Sequence, residues 1–170
     1  MSGDQTPSVV TTRTATGDDL HAVLEVGHRT WPPTYVPIAG KDYVAMGLAK
    51  WWTADATIPP IRAGRVTVAE LEGDVVGVAV VGPLDGALAL WKLYVMPECQ
   101  GHGVGARLMR AVIDKALADG YDQVVLSHLA GNVGAAAFYK KFGFEFVRQE
   151  EGGSGMPDNV WLRLQLGGKK

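Results

Sequence analysis

Gly101, Gly103 and Gly105 fall where an apolar strand runs through a short loop directly into an amphipathic helix. Bare backbone at that point lets free N–H groups converge on an anion, and the positive end of the helix dipole adds to the attraction. The chemistry on offer is the binding of a phosphate-bearing ligand. Two neighbours bear on it. His102 could donate to a phosphate, although a solvated loop residue has the same signature. Cys99 invites a covalent acyl-enzyme, but one cysteine without an identified activating partner is a weak nucleophile.

The elements that must hold this loop follow from hydrophobic periodicity. Val9–Thr14 reads as a first strand. Thr16-Gly-Asp-Asp supplies capping chemistry ahead of a helical stripe at Leu20, Val23, Leu24 and Val26. That helix is expected to end near Trp31, because Pro32 and Pro33 cannot donate the next hydrogen bonds. A second helix is expected over Lys41–Trp52, and Ile58-Pro59-Pro60 reads as a loop. Period two then takes over: Val66–Leu71 and Val75–Val81, joined by Glu72-Gly73-Asp74, form a hairpin, and Gly82–Gly86 turns the chain into a third strand, Ala87–Val95.

After Pro97 a helix is expected from about Gly103 to Leu117, burying Leu108, Met109, Val112, Ile113 and Ala116. A strand (Val124–His128), a short helix (Val133–Phe142) and two strands (Phe144–Gln149 and Val160–Leu166) complete the pattern. Residues 1–8 read as a disordered tail, and residues 9–166 as one mixed α/β domain.

Composition narrows the partners. Sixteen basic residues against eighteen acidic ones give a net charge of −2, so nothing draws the whole chain to nucleic acid or an anionic membrane. One cysteine excludes an internal disulfide and a multi-cysteine metal cluster, and no metal is expected. A reducing, cytoplasmic setting fits. The N-terminus lacks the basic and apolar regions of a secretory signal. No run approaches the roughly 18 apolar residues of a membrane span.

The run from Gly101 to Ala106 satisfies G-x-G-x-x-A, a loose dinucleotide fingerprint. That reading fails on context. The loop follows a three-strand meander rather than opening a βαβ unit, and the next strand ends in Ser127 and His128 without a carboxylate. A Walker loop would need Gly-Lys-Ser/Thr. A glycine turn that merely lets the helix pack closely remains open.

The segment LYVMPECQGHGVGARLM resembles the acetyl-CoA signature of the GNAT superfamily of N-acetyltransferases, Q/R-x-x-G-x-G/A, with Gln100, Gly103 and Gly105 on pattern. Downstream, Asn132, Ala135, Phe138, Tyr139, Gly143 and Phe144 match that family's N-x-x-A-x-x-F-Y-x-x-x-G-F segment. The resemblance implies a mostly antiparallel sheet of about seven strands flanked by about four helices. It implies acetyl-CoA as co-substrate, its pyrophosphate on the amides of Gly101, His102, Gly103, Val104, Gly105 and Ala106. The pantetheine arm would lie against the backbone of Leu93, Tyr94 and Val95, where the family splays its sheet. The Leu93 N–H would hold the thioester oxygen, a donor whose value grows as charge develops. Tyr139 would serve as acid for the departing thiolate, and Asn132 would contact the coenzyme arm. A packed aromatic and a helix N-cap are the bland readings of these last two.

The base departs from the pattern. Many relatives carry a glutamate on the strand before the loop, where this chain has Ala89. His128, near the expected sheet opening, is one substitute, since histidine titrates near neutral pH. His28 is a weaker one, and a water chain without a side-chain base is another. By the same resemblance residues 27–62 roof the acceptor, with Trp31 and Tyr35, joined by Trp91, as candidate walls. Tyr43 belongs to the same aromatic stretch, and Trp51 and Trp52 read more naturally as core. Asp42, Asp55 and Asp85 could pair with an ammonium, but none stands out.

The leading expectation is acetyl transfer to a primary amine of a small molecule by direct attack. The alternatives are a non-catalytic acyl-CoA sensor and acetylation of a protein N-terminus or lysine. Homodimers are common in the family, and strand edges near the C-terminus would serve one.

Overall fold

The structure, a computed structural model, describes residues 9–167. The expected tail at residues 1–8 lies outside them. The described residues fold into one seven-stranded sheet with five α-helices. In chain order these are β1 (Val10–Thr14), α1 (Leu20–Ala39), α2 (Lys41–Trp51), α3 (Ala54–Arg62), β2 (Val66–Leu71), β3 (Asp74–Leu84) and β4 (Ala87–Val95). There follow α4 (Val104–Ala118), β5 (Gln123–Leu129), α5 (Val133–Lys141), β6 (Glu145–Glu150) and β7 (Asn159–Gln165). The strands lie in the order β1-β2-β3-β4-β5-β7-β6, all antiparallel except β4 and β5.

Two helical expectations fail at prolines. The first helix does not stop at Trp31 but continues through Pro32, Pro33 and Pro37 to Ala39. Each proline removes a hydrogen bond to the carbonyl four residues back. Here those carbonyls belong to His28, Arg29 and Pro33, all exposed, so water can satisfy them. Continuing the helix also buries Trp31 and Tyr35 together, one turn apart on the core face. Likewise Ile58-Pro59-Pro60 is not a loop: it lies inside α3, where the Thr53 hydroxyl accepts from the Ala56 N–H at 3.2 Å and Thr57 and Ile61 are buried on one face. There are thus three helices before the meander rather than two, and five in all rather than four.

The meander itself is tighter than expected. Its first turn, Glu72-Gly73, has φ of 55° and 87°, and its second, Asp85-Gly86, has φ of 50° and 85°. Left-handed backbone at both central residues matches the strand twist. The strand β3 accordingly runs on through Gly82-Pro83-Leu84 instead of turning there. Pro83 is tolerated because the register of β2 against β3 ends at Val66↔Val80, leaving that edge without a ladder to break.

Opposite faces of the sheet carry different jobs. The helix α4 buries Leu108, Met109, Val112, Ile113 and Ala116 against one face. A side chain at Gly77 would collide with Leu108, its would-be Cβ lying 2.9 Å from Cδ1. The helix α1 packs against β3 and β4, burying Val23, Val26 and Trp31, and α2 packs in turn on α1 with Val44 buried. At the far edge β6 is exposed along its length, Phe146 and Val147 included.

Candidate active site

The parallel pair β4 and β5 is joined for only two positions, Leu88↔Val124 and Ala89↔Val125. Beyond Ala89 the strands part, and the β5-facing edge of β4 has no strand partner. A bulge sharpens the divergence: Val80 pairs with Lys92 and Val81 with Leu90, so Trp91 has no opposite residue on β3. A cleft of about 590 Å³ fills the opening, bounded by the β4 segment Leu90–Val95, the glycine loop, Ser127 and His128 of β5, and α5. Clefts outside the carboxyl ends of parallel strands are where α/β sheets bind ligands.

At the mouth of the cleft, Gly101 and Gly103 have φ of 86° and 81°, a left-handed backbone that side chains rarely adopt, and a Cβ at either would meet nothing within 4 Å. The space above them is open to a ligand. The Gln100 amide donates to the Val95 carbonyl at 3.1 Å, tying the loop to the strand it leaves. Gly105 serves twice. It opens the first turn of α4, and its missing side chain seats Phe138, whose ring carbon would stand 3.4 Å from a Cβ there. His102 is exposed and does not line the cleft. Cys99 is buried, and burial pushes its thiol up from the usual value, away from nucleophilic thiolate.

The helix α5 contains no fully buried residue, although Phe138 and Tyr139 pack partly against the core. Asn132, Ala135, Phe138 and Tyr139 line the cleft, with Lys141 one turn beyond. The Asn132 side chain accepts from the Ala135 N–H at 3.2 Å, so the N-cap reading holds while the residue also faces the cleft. The Tyr139 ring is wedged among Phe138, Phe144 and His128, and burial raises its hydroxyl well above the ordinary phenol value. It therefore stays protonated as a hydrogen-bond donor. His128 Nδ1 lies 3.0 Å from the Leu129 carbonyl oxygen. A carbonyl only accepts, so Nδ1 is the donor in this bond, which leaves Nε2 as the ring nitrogen free of it.

Across the sheet lies an aromatic floor. The Tyr35 and Tyr94 hydroxyls are 2.8 Å apart, and desolvation raises both. Tyr35 lines the cleft beside Thr30 and Thr34. Trp31 stands behind it in the core, 5% exposed, its ring held against Gly47, Tyr43 and Tyr35 rather than on the cleft wall. Trp91, half exposed, lies over Gly82. Among the other aromatics Trp52 is fully buried, whereas Trp51 is only partly so. His28 is away from this space, with Nε2 3.0 Å from the Trp52 carbonyl oxygen.

Lys92 is the residue that sequence reasoning passed over. Its ammonium donates to the Trp51 carbonyl, lies 4.0 Å from the centre of the Trp52 ring, and is pushed down to about 8 by burial. The signal was present: Lys92 is the single charged residue in Ala87–Val95 and shares a strand face with Tyr94.

Residues 25–144 match the acetyltransferase (GNAT) family. The chain is 32% identical over 95 residues to the uncharacterized N-acetyltransferase YjgM of Escherichia coli, a match spanning 54% of this chain and 57% of that protein. It thus spans little more than half of that relative's length. To the L-methionine sulfoximine/L-methionine sulfone acetyltransferase of Pseudomonas paraeruginosa it is 28% identical over 133 residues, 73% of this chain and 70% of the relative. The PaiA N-acetyltransferase of Thermoplasma acidophilum, solved in complex with coenzyme A, shares the fold with a TM-score of 0.82 at 18% identity, covering 92% of this chain and 99% of that one. No described helix is long and apolar enough to cross a membrane.

Proposed function

The chain belongs to the acetyltransferase (GNAT) family, and from that premise we propose that it moves an acetyl group from acetyl-CoA to a primary amine of a small molecule by direct attack. The observation that carries this reading is the parting of β4 from β5 beyond Ala89, with the glycine loop at its mouth and Tyr139 on its wall. The residues present fit the coenzyme: open amides at Gly101 and Gly103, an unpartnered strand edge for an amide-bearing arm, and a helix wall whose residues are at most partly buried. Gly101–Ala106 would hold the pyrophosphate and the β4 edge the pantetheine arm. A cytoplasmic location accords with that co-substrate.

In the reaction the neutral amine nitrogen attacks the thioester carbonyl carbon and the carbon–sulfur bond breaks. The backbone N–H of Leu93 stabilises the charge that grows on the carbonyl oxygen. The Tyr139 hydroxyl donates to the sulfur as it takes up negative charge. Its raised value favours a hydrogen bond held through the transition state over an early, complete proton transfer. The proton lost by the amine goes to His128 Nε2, directly or through water, in place of the carboxylate that Ala89 does not supply. The leaving sulfur takes its proton from Tyr139 after the carbon–sulfur bond breaks, and the proton held on His128 restores the phenol through water, so the products are the N-acetylated amine and free thiol.

The test is thiol release from acetyl-CoA across a panel of primary amines, with calorimetric titration of coenzyme A alongside. Release that depends on the amine is the expected result. Coenzyme binding without release on any amine would favour a sensor instead, and no coenzyme binding would overturn both.

A further inference from the structure

On the acceptor face a second groove of about 440 Å³ runs under α2 and α3, walled by Trp51, Pro59, Pro60 and the β3 segment Val80–Pro83. It shares Trp91 and Lys92 with the coenzyme cleft, so these two residues stand at the junction of the two spaces. Arg65 lines its outer end. Among the described residues no aspartate or glutamate lines either space. Among the described residues no salt bridge involves Lys92 or Arg65.

The carbonyl that Lys92 meets is that of the last residue of α2, so the lysine caps a helix C-terminus. Capping uses one N–H and sets the ammonium against a partial charge and an aromatic ring, not against a full counter-charge. An ammonium has three donors, and this one is held in place with its charge unmatched. Burial already disfavours its charged form, as its lowered value records.

We propose, resting on the acetyl-transfer reading, that this groove admits the acceptor and that the acceptor is an amine bearing a carboxylate, which Lys92 binds. A carboxylate arriving at the junction supplies the counter-charge the protein omits, and Lys92 then fixes the acceptor with its amine towards the thioester. Trp51, Trp91, Pro59 and Pro60 offer apolar walls to the rest of the molecule. An acceptor with only ammonium groups, such as a polyamine, would bring positive charge to a groove with two cations and no anion. Exposed Arg65 would draw the acceptor in, while Lys92 sets the preference.

The test compares amino acids with their own decarboxylated amines, phenylalanine with 2-phenylethylamine and leucine with 3-methylbutylamine among them, as acceptors for the intact chain. The carboxylated member is expected to be favoured at least about tenfold in kcat/KM, through KM. Lys92→Met should bring that ratio towards one, and Lys92→Arg should restore part of it, while the KM for acetyl-CoA serves as the control for an intact donor site. Calorimetry gives a readout without turnover: N-acetyl-phenylalanine should bind the coenzyme-A-loaded protein more tightly than N-acetyl-2-phenylethylamine, and Lys92→Met should remove the difference. A preference for the decarboxylated amines, or a carboxylate preference that survives Lys92→Met, would overturn the proposal. Absence of turnover on every amine with the calorimetric difference intact would instead count against acetyl transfer and leave the carboxylate site standing.

Discussion

The two halves of the site are built from different material. On the proposed donor side, recognition would rest on backbone: left-handed glycines at 101 and 103, the first amides of α4, and the strand edge that β5 leaves open. On the proposed acceptor side it would rest on side chains drawn from distant parts of the chain, with Tyr35 from α1, Trp51 from α2, and Trp91, Lys92 and Tyr94 from one bulged strand. A backbone site tolerates only residues that allow its φ angles and close approach, so it leaves a local signature. A side-chain site is assembled by tertiary structure and can change with one substitution on the same frame.

The comparison can be broken first at the donor loop. Gly103→Glu places a side chain on a backbone at φ 81° and a carboxylate where the pyrophosphate would sit. Acetyl-CoA affinity should fall about a thousandfold, read by calorimetry; affinity close to that of the parent would show that the loop is not the phosphate seat. Tyr139→Phe removes the sulfur-side donor and should lower kcat by about a hundredfold, with acetyl-CoA affinity nearly unchanged. Unaltered kcat would take Tyr139 out of the chemistry.

A third variant sharpens the other half. A Cβ on Gly27 would lie 2.0 Å from the Trp52 ring, the ring under the Lys92 ammonium. Gly27→Ala should cost about 1–3 kcal/mol of stability in denaturant titration. It should also raise the KM of the acceptor while the KM of acetyl-CoA holds. Equal effects on both would mean that the two halves are not separable.

The smallest effect concerns the frame. Asp19 anchors the start of α1 to β1: its carboxylate takes hydrogen bonds from Arg13 at 2.8 Å and from the Thr16 N–H at 2.8 Å. The Arg13 guanidinium above all holds it down at about 2, from an ordinary 3.8. Its contribution is thus fully present above pH 3.8 and is lost as pH falls towards 2, because the unfolded chain takes up the proton first. Asp19→Ala should cost about 1 kcal/mol at neutral pH and flatten the acid limb of the stability curve. An unchanged acid limb would assign that limb to other carboxylates.

These differences account for what could be read in advance. The meander, the buried stripe of α4 and the glycine loop each obey one short-range rule, and all three were legible. The helices α1 and α3 run past Pro32, Pro33, Pro59 and Pro60, where a proline's missing N–H alone predicts a break. In α1 the residues whose carbonyls lose a partner, His28, Arg29 and Pro33, are exposed, while Trp31, Tyr35, Thr57 and Ile61 are buried. Trp31 and Tyr35 looked equivalent in sequence. Only the fold puts one in the core and the other on the cleft. Lys92 became conspicuous once Trp51 and Trp52, some forty residues earlier in the chain, were seen to close around it.

Amide hydrogen exchange, followed with acetyl-CoA alone and then with coenzyme A plus a carboxylated amine, tests the two-sided site most directly. Acetyl-CoA should slow exchange at Leu93–Val95 and Gly101–Ala106, as a strand-like arm pairs the free edge of β4 and the loop amides take the pyrophosphate. The amine should then slow exchange in the segments that wall the second groove, around Trp51 and Val80–Gly82. Protection of the β6 edge instead, or none along Leu93–Val95, would contradict the assignment of the parted strands as the seat of the acetyl donor.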